Sequence, residues 1–231
     1  MAFPSGKTSS SPILWGNDGG VVTFTPEIYT MSMIGCLARI SEEVQVALHD
    51  QPELITGLLY PDFEAPSKTP KVSIFARWFG KGNETPAQVE VPPKATLVPL
   101  VEEDQMDIDK AWHVLHFLFT GAAWEADFPE GFLATCGTPV GDVDVGYGPA
   151  RSFSPKEVKQ IASFLTGLRE GELRGRMDFK KMTELEIYCG GGEEGEITDG
   201  EWSYWRETLT ALTKFVVEAA NRNMAVLVYI A

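Results

Sequence analysis

Two kinds of apolar pattern run along this chain. Short continuous runs, Met31–Ile40 and Met224–Ile230, have the length and composition of buried strands. Between them, apolar residues recur at helical spacing. Val44, Val46, Ala47 and Leu48 follow Ser41, which is placed to cap a helix. Asp50-Gln-Pro-Glu53 has capping-box spacing and predicts a second short helix through Leu59. Asp107 is placed to cap an almost wholly apolar helix that runs to Gly121. Ser154-Pro-Lys-Glu157 opens a helix carrying Val158, Ile161, Ala162 and Leu165, and Asp178 caps a further short one. The last helix, from about Gly200 to Asn221, lines one face with Trp202, Trp205, Leu209, Leu212, Val216 and Ala219.

The remaining segments interrupt that order. Residues 1–30 are rich in Ser, Gly and Pro and read as an extension of low order, with Met31 and Met33 as possible internal starts. Residues 61–106 are punctuated by prolines around two strand-like runs, Lys71–Phe79 and Lys94–Val101. They read as a β-hairpin insert ending in the acidic run Glu102-Glu-Asp104, a solvated face. Residues 137–151 read as a turn-rich loop. Helices dominate and do not alternate regularly with strands. The expected fold is therefore α+β: a helix-rich single domain, 31–231, around a small central sheet with the first and last strands side by side.

Charge narrows the partners. The 231 residues carry a formal net charge of -14. Such a surface repels phosphate backbones and anionic membranes, so neither nucleic acid nor membrane is an expected partner. No apolar run approaches the roughly 20 residues of a membrane span, and the N-terminus lacks the apolar region of a secretory signal. The reading is a soluble cytoplasmic protein. Cys36, Cys136 and Cys189 are far apart, which fits neither a disulfide framework nor a zinc ribbon. Ser5-Gly-Lys-Thr8 lacks the preceding glycine of a phosphate loop, and no nucleophile-elbow or zinc-protease motif is present.

The candidate chemistry lies in two places. At about 100° per residue, Asp109, His113, His116 and Thr120 share one stripe of the apolar helix, bordered by Trp112. His113 or His116 could serve as a general base with Asp109 orienting it. The bland alternative is a capped helix with hydrogen-bonded core histidines. No third metal ligand is near in sequence, so neither a metal nor another cofactor is expected. His49, at a helix end, reads as a dipole partner. The second place is the loop 141–151. Asp142 and Asp144 project to one side if extended, Tyr147 sits between two glycines, and Arg151 precedes a capped helix. Arg151 could hold an anionic group, or pair with Asp142 or Asp144 and pin the loop.

Met31-Ser-Met-Ile-Gly35, the stretch Asp107–Gly121, the stretch Gly137–Arg151 and the apolar C-terminal strand together resemble the bacterial YfbM-like family, a domain of unknown function. The resemblance covers roughly residues 31–60 and 107–231. It implies a small soluble α+β domain and brings no catalytic assignment. Two functional expectations follow from the residues. The first is a non-catalytic protein-binding domain, of inhibitor or immunity type, meeting a basic partner through the insert and the acidic loop 193–201. The second is a small-molecule binder or enzyme whose pocket joins helix 107–121 to loop 141–151, with Trp112, Asp142, Asp144, Tyr147 and Arg151 as candidate contacts.

Overall fold

The computed structural model describes residues 32–61, 97–188, 190 and 197–231. The expected extension 1–30, most of the hairpin insert and the first part of the acidic loop lie outside these residues. Within them a five-stranded antiparallel sheet has the order β2-β1-β5-β4-β3. Its centre is the expected pair: β1 (Gly35–Ile40) runs against β5 (Ala225–Ile230) from Gly35↔Ile230 to Ile40↔Ala225. Both are almost fully buried because helices cover the two faces of the sheet.

Side chains alternate across a strand, and the register turns that alternation into two cores. Leu37, Val226 and Val228 face α3 (Ala111–Thr120), α4 (Pro155–Gly167) and α7 (Asp199–Asn221). Ala38, Ile40, Ala225 and Leu227 face α1 (Glu42–Asp50) and α2 (Leu54–Leu59). Arg39 opposes Val226, and Arg151 opposes Val228, so both arginines sit on the α3/α7 face. Ser152 opposes Leu227 and therefore points to α1.

Several expected caps form. Ser41 accepts from the Val44 amide, and Ser154 and Glu157 complete a reciprocal capping box. Asp178 caps α6 (Phe179–Glu184), which follows the short α5 (Glu170–Gly175). A second box, Thr198 with Glu201, starts α7; the sequence carries its Thr-x-x-Glu signature, which was not read there. Residues 50–53, by contrast, form no capping box. Asp50 is the last residue of α1, and Glu53 precedes α2 without a side-chain bond, because α1 consumes the segment that the box would need.

Four further expectations change. Leu97–Val101 is not strand, and Asp104 is more than solvated surface: it ends a 3-10 turn (Glu102–Asp104) and pairs with Arg39 at 3.0 Å and Arg222 at 2.9 Å. Asp107 belongs to β2 (Gln105–Asp107), opposite Cys36, so it does not cap α3. Residues 137–151 are not a loop but a hairpin, β3 (Thr138–Asp144) and β4 (Pro149–Phe153). Glycine, proline and aspartate make β3 a poor strand by composition. Pairing of β4 with the β5 edge overrides it, and Asp144 Oδ1 closes the turn by accepting from the Gly146 and Gly148 amides at 2.9 and 3.0 Å.

Candidate functional site

Helix α3 is the axis of the larger core, and nine of its ten residues are buried. A helix apolar all round must be enclosed on every side. Gly35 makes the close approach to the sheet possible: a Cβ there would lie 2.5 Å from Trp112 Cβ. Trp112 is consequently fixed against β1, and its indole N–H donates to the Met33 carbonyl at 3.1 Å. The C-terminal end of α3 is closed by Gly121 at φ 72° and by Arg176, which donates to the Leu118 and Phe119 carbonyls at 2.9 and 3.0 Å.

The expected histidine stripe is only partly realised. Asp109 lies before the helix at φ 47°, where it takes the hydroxyl of Tyr204 at 3.0 Å. It is a turn residue and does not orient His113. His113 is 1% exposed and spends both ring nitrogens on main chain. Nε2–H donates to the Ala123 carbonyl at 2.7 Å, and Nδ1 accepts from the Tyr188 amide at 2.9 Å. That pairing fixes the neutral Nε2–H tautomer and leaves no nitrogen for chemistry. Burial lowers its pKa, partly offset by the Ala123 carbonyl. Thr120 donates back to the His116 carbonyl at 2.8 Å.

His116 differs from its neighbour. It is 0% exposed, and neither ring nitrogen has a hydrogen-bond partner among the described residues. The Trp124 main chain is near enough to favour the charged ring without reaching hydrogen-bond geometry. Burial, then the neighbouring His113 and Arg151, hold its pKa down to about 4. It is a neutral imidazole at pH 7, with one donor and one acceptor nitrogen.

A pocket of about 200 Å³ opens beside this helix. Its walls include Met33 and Ile230 from the strand ends, Trp112 from α3, Trp124 from the segment after it, and Tyr147 and Arg151 from the β3–β4 hairpin. The elements expected to meet do border one cavity, through Trp112 rather than through the histidines. Trp124 packs over Trp112 and His113, with ring centroids 5.8 and 4.6 Å apart, and is itself 51% exposed. Tyr147 is brought to the rim because its amide donates to the Ile230 carbonyl at 2.9 Å. That contact needs glycine at 146, where φ is 147° and a Cβ would lie 2.5 Å from the same carbonyl oxygen.

Arg151 supplies the charge. Its guanidinium donates to the Cys136 and Leu133 carbonyls at 2.8 Å each and more weakly to the Phe132 carbonyl at 3.4 Å. These carbonyls lie in and just after the 3-10 turn Glu130–Leu133. Among the described residues no carboxylate pairs with it, so the expected alternative of an Arg151–Asp142 or Arg151–Asp144 pair is not formed. Asp144 holds its own turn and Asp142 is exposed on β3, and neither lines the pocket. Burial lowers the pKa of Arg151 to about 10, which leaves it cationic at pH 7.

The other titratable residues have structural placements. His49 does more than face a helix dipole: its Nε2 lies 2.7 Å from Ser152 Oγ, which also accepts from the Gln45 side chain at 3.1 Å. Ser152 is 1% exposed, so these bonds satisfy a buried hydroxyl. Cys136 donates to the Ala126 carbonyl and Cys36 is half-buried beneath a raised pKa of about 11, caused chiefly by burial. No group of three or more metal-ligating side chains occurs among the described residues. Among the same residues no helix is long and apolar enough to cross a membrane.

Comparison with known proteins supports the fold. The crystal structure of YfbM from Escherichia coli, a protein of unknown function, superposes with a TM-score of 0.56 at 20% sequence identity, covering 86% of this chain and all of the other. At that identity the likeness concerns the fold alone. No curated protein matches the chain. The model of a domain of unknown function, DUF1877, matches residues 31–229, which include both cores, the aromatic pocket and Arg151, and the chain therefore belongs to that family.

Proposed function

We propose that this protein binds a small organic anion, a compact carboxylate with a flat apolar body, in the pocket between Trp112, Trp124 and Arg151. The observation that carries this reading is the environment of Arg151. A partly buried guanidinium is ordinarily matched by a carboxylate, because charge is costly to desolvate. Here three carbonyl dipoles hold it in place, and among the described residues no acidic side chain neutralises it. The aromatic walls suit a planar group, and the volume of about 200 Å³ suits a small metabolite rather than a nucleotide. The charge attraction is local, since the chain as a whole carries -14.

Binding without chemistry is the simpler form of this reading, because His113 has no nitrogen left to move a proton. The alternative of an inhibitor-type protein contact depends on the insert and the loop 193–201, most of which lie outside the described residues. The test is thermal denaturation with benzoate, phenylacetate and indole-3-acetate, beside benzamide as a neutral control. A carboxylate at about 100 times its Kd should add about 2.7 kcal/mol, which corresponds to a Tm rise of roughly 5–10 °C for a domain of this size. Arg151→Gln should abolish the rise. An equal response to benzamide, or an unchanged response in Arg151→Gln, would rule out the anion site.

A further inference from the structure

Beside the pocket lies a polar ring that the described residues leave unsatisfied. Fewer than about one in ten buried polar groups lack a hydrogen-bond partner, and each such group costs roughly 1–3 kcal/mol. Among the described residues His116 has none at either nitrogen, and it is completely enclosed. The ring does not itself line the pocket, but residues that do are its neighbours. Trp112 precedes it by one helical turn, so the two share a face of α3. The charge of Arg151 and the main chain of Trp124 both act on the ring, and both residues line the cavity. His113, 6.5 Å away between ring centroids, cannot satisfy it because both of its nitrogens are already bonded to main chain.

Trp124 is a large apolar side chain that remains half exposed, lying over the rings of Trp112 and His113. Its segment follows the end of α3 as irregular chain. A water held against His116 would need two to four polar partners. The main chain of Trp124 comes near the ring without reaching hydrogen-bond geometry.

We propose that His116 is the second polar contact of the anion pocket, reached when Trp124 turns outward, and that the ligand is a carboxylate bearing a hydroxyl or amino group. This rests on the reading of Arg151 as the partner of the anion. The neutral imidazole offers a lone pair to the ligand's O–H or N–H and a proton to its oxygen. The cation takes the carboxylate. Specificity then comes from a hydrogen bond that the empty protein lacks, which penalises analogues without the donor.

The test compares mandelate with phenylacetate, which differ by one hydroxyl, by calorimetric titration. Wild type should bind mandelate roughly tenfold more tightly. In His116→Phe the two should bind equally, with phenylacetate affinity retained. Arg151→Gln should weaken both. Equal binding of the two acids by wild type, or a preference that survives in His116→Phe, overturns the role of His116 and leaves the Arg151 site standing. Failure of both acids to bind wild type overturns the anion site itself. A ligand-independent arm tests the route to the ring: modification of His116 by diethylpyrocarbonate, located by mass spectrometry, should be about tenfold faster in Trp124→Ala than in wild type. An unchanged rate would show that Trp124 does not guard the ring, and the proposal would fall.

Discussion

Arg39 and Arg151 stand on the same face of the same sheet, one on β1 and one on β4, yet the protein treats their charges differently. Arg39 is 3% exposed and surrounded by counterions. Its Nε meets Asp104 at 3.0 Å, its Nη1 meets Glu218 at 3.0 Å, and Nη2 donates to the Glu103 carbonyl. The carboxylate contacts meet by charge rather than along the N–H axes. The ring of Phe215 lies 4.4 Å from the guanidinium carbon. Arg151 has carbonyl dipoles and an open cavity. The first arrangement is closed on itself and staples β1, the 3-10 turn and α7 together. The second orients a cation and leaves its charge for something else. A buried charge becomes informative about function when its neutralising partner is missing.

The largest expected effect separates the two as structural and binding groups. Among the described residues, Arg39→Ala leaves Asp104 with Arg222 alone and opens the staple. It should cost about 4 kcal/mol in urea denaturation while leaving anion binding intact. If Arg39→Ala instead abolished binding at unchanged stability, the contrast between the arginines would collapse.

Next in size is the pH dependence of the histidine core. His116 titrates near 6.5 when unfolded and near 4 when folded. Between those values the unfolded chain holds a proton that the folded one excludes. Stability from this group is therefore complete above pH 6.5 and falls as the pH drops toward 4, by about 3 kcal/mol. His113 contributes with the same sign. His116→Phe should flatten this part of the profile, and a profile identical to wild type would show that the imidazole is not held neutral by burial.

Gly35→Ala sharpens the comparison from the pocket side. The added methyl meets Trp112 Cβ at 2.5 Å and must push the indole or the strand. A loss of about 2 kcal/mol is expected, together with weaker carboxylate binding through displacement of the Trp112 wall. Unchanged stability and binding would place Trp112 outside the site. The smallest effect on stability belongs to Arg151→Gln. It removes the guanidinium's hydrogen bonds to the Phe132, Cys136 and Leu133 carbonyls, which the Gln amide replaces in part, at about 1 kcal/mol, but should remove the ligand-induced Tm rise entirely.

How far the chain was legible depended on how local each device is. Ser41, Ser154–Glu157 and Asp178 were readable as caps because a cap is set by residues three apart. The β1–β5 pair was readable because two predominantly apolar runs in a helical chain have few other places to be buried. The hairpin β3–β4 was missed because its strand character comes from pairing with the β5 edge, while its own residues favour turns. Asp109 was misplaced because a helical wheel presupposes a helix, and Asp109 sits in a left-handed turn ahead of α3. Tyr147 stands out by its place between two glycines, and Arg151 by its place before a capped helix. Trp124 and Met33 do not, since their roles depend on segments brought together from far apart in sequence.

The sequence by itself determined the α+β class, the family, the apolar identity of α3 and the caps at Ser41, Ser154 and Asp178. These follow from periodicity and short-range hydrogen bonding. Only the tertiary structure decided which of two adjacent histidines is satisfied and which arginine is neutralised. Partners for a buried polar group come from elements distant in the chain: Tyr188 for His113, and Asp104 with Glu218 for Arg39. Desolvation makes the presence or absence of such partners worth several kcal/mol, and no spacing within one helix or one loop can reveal it.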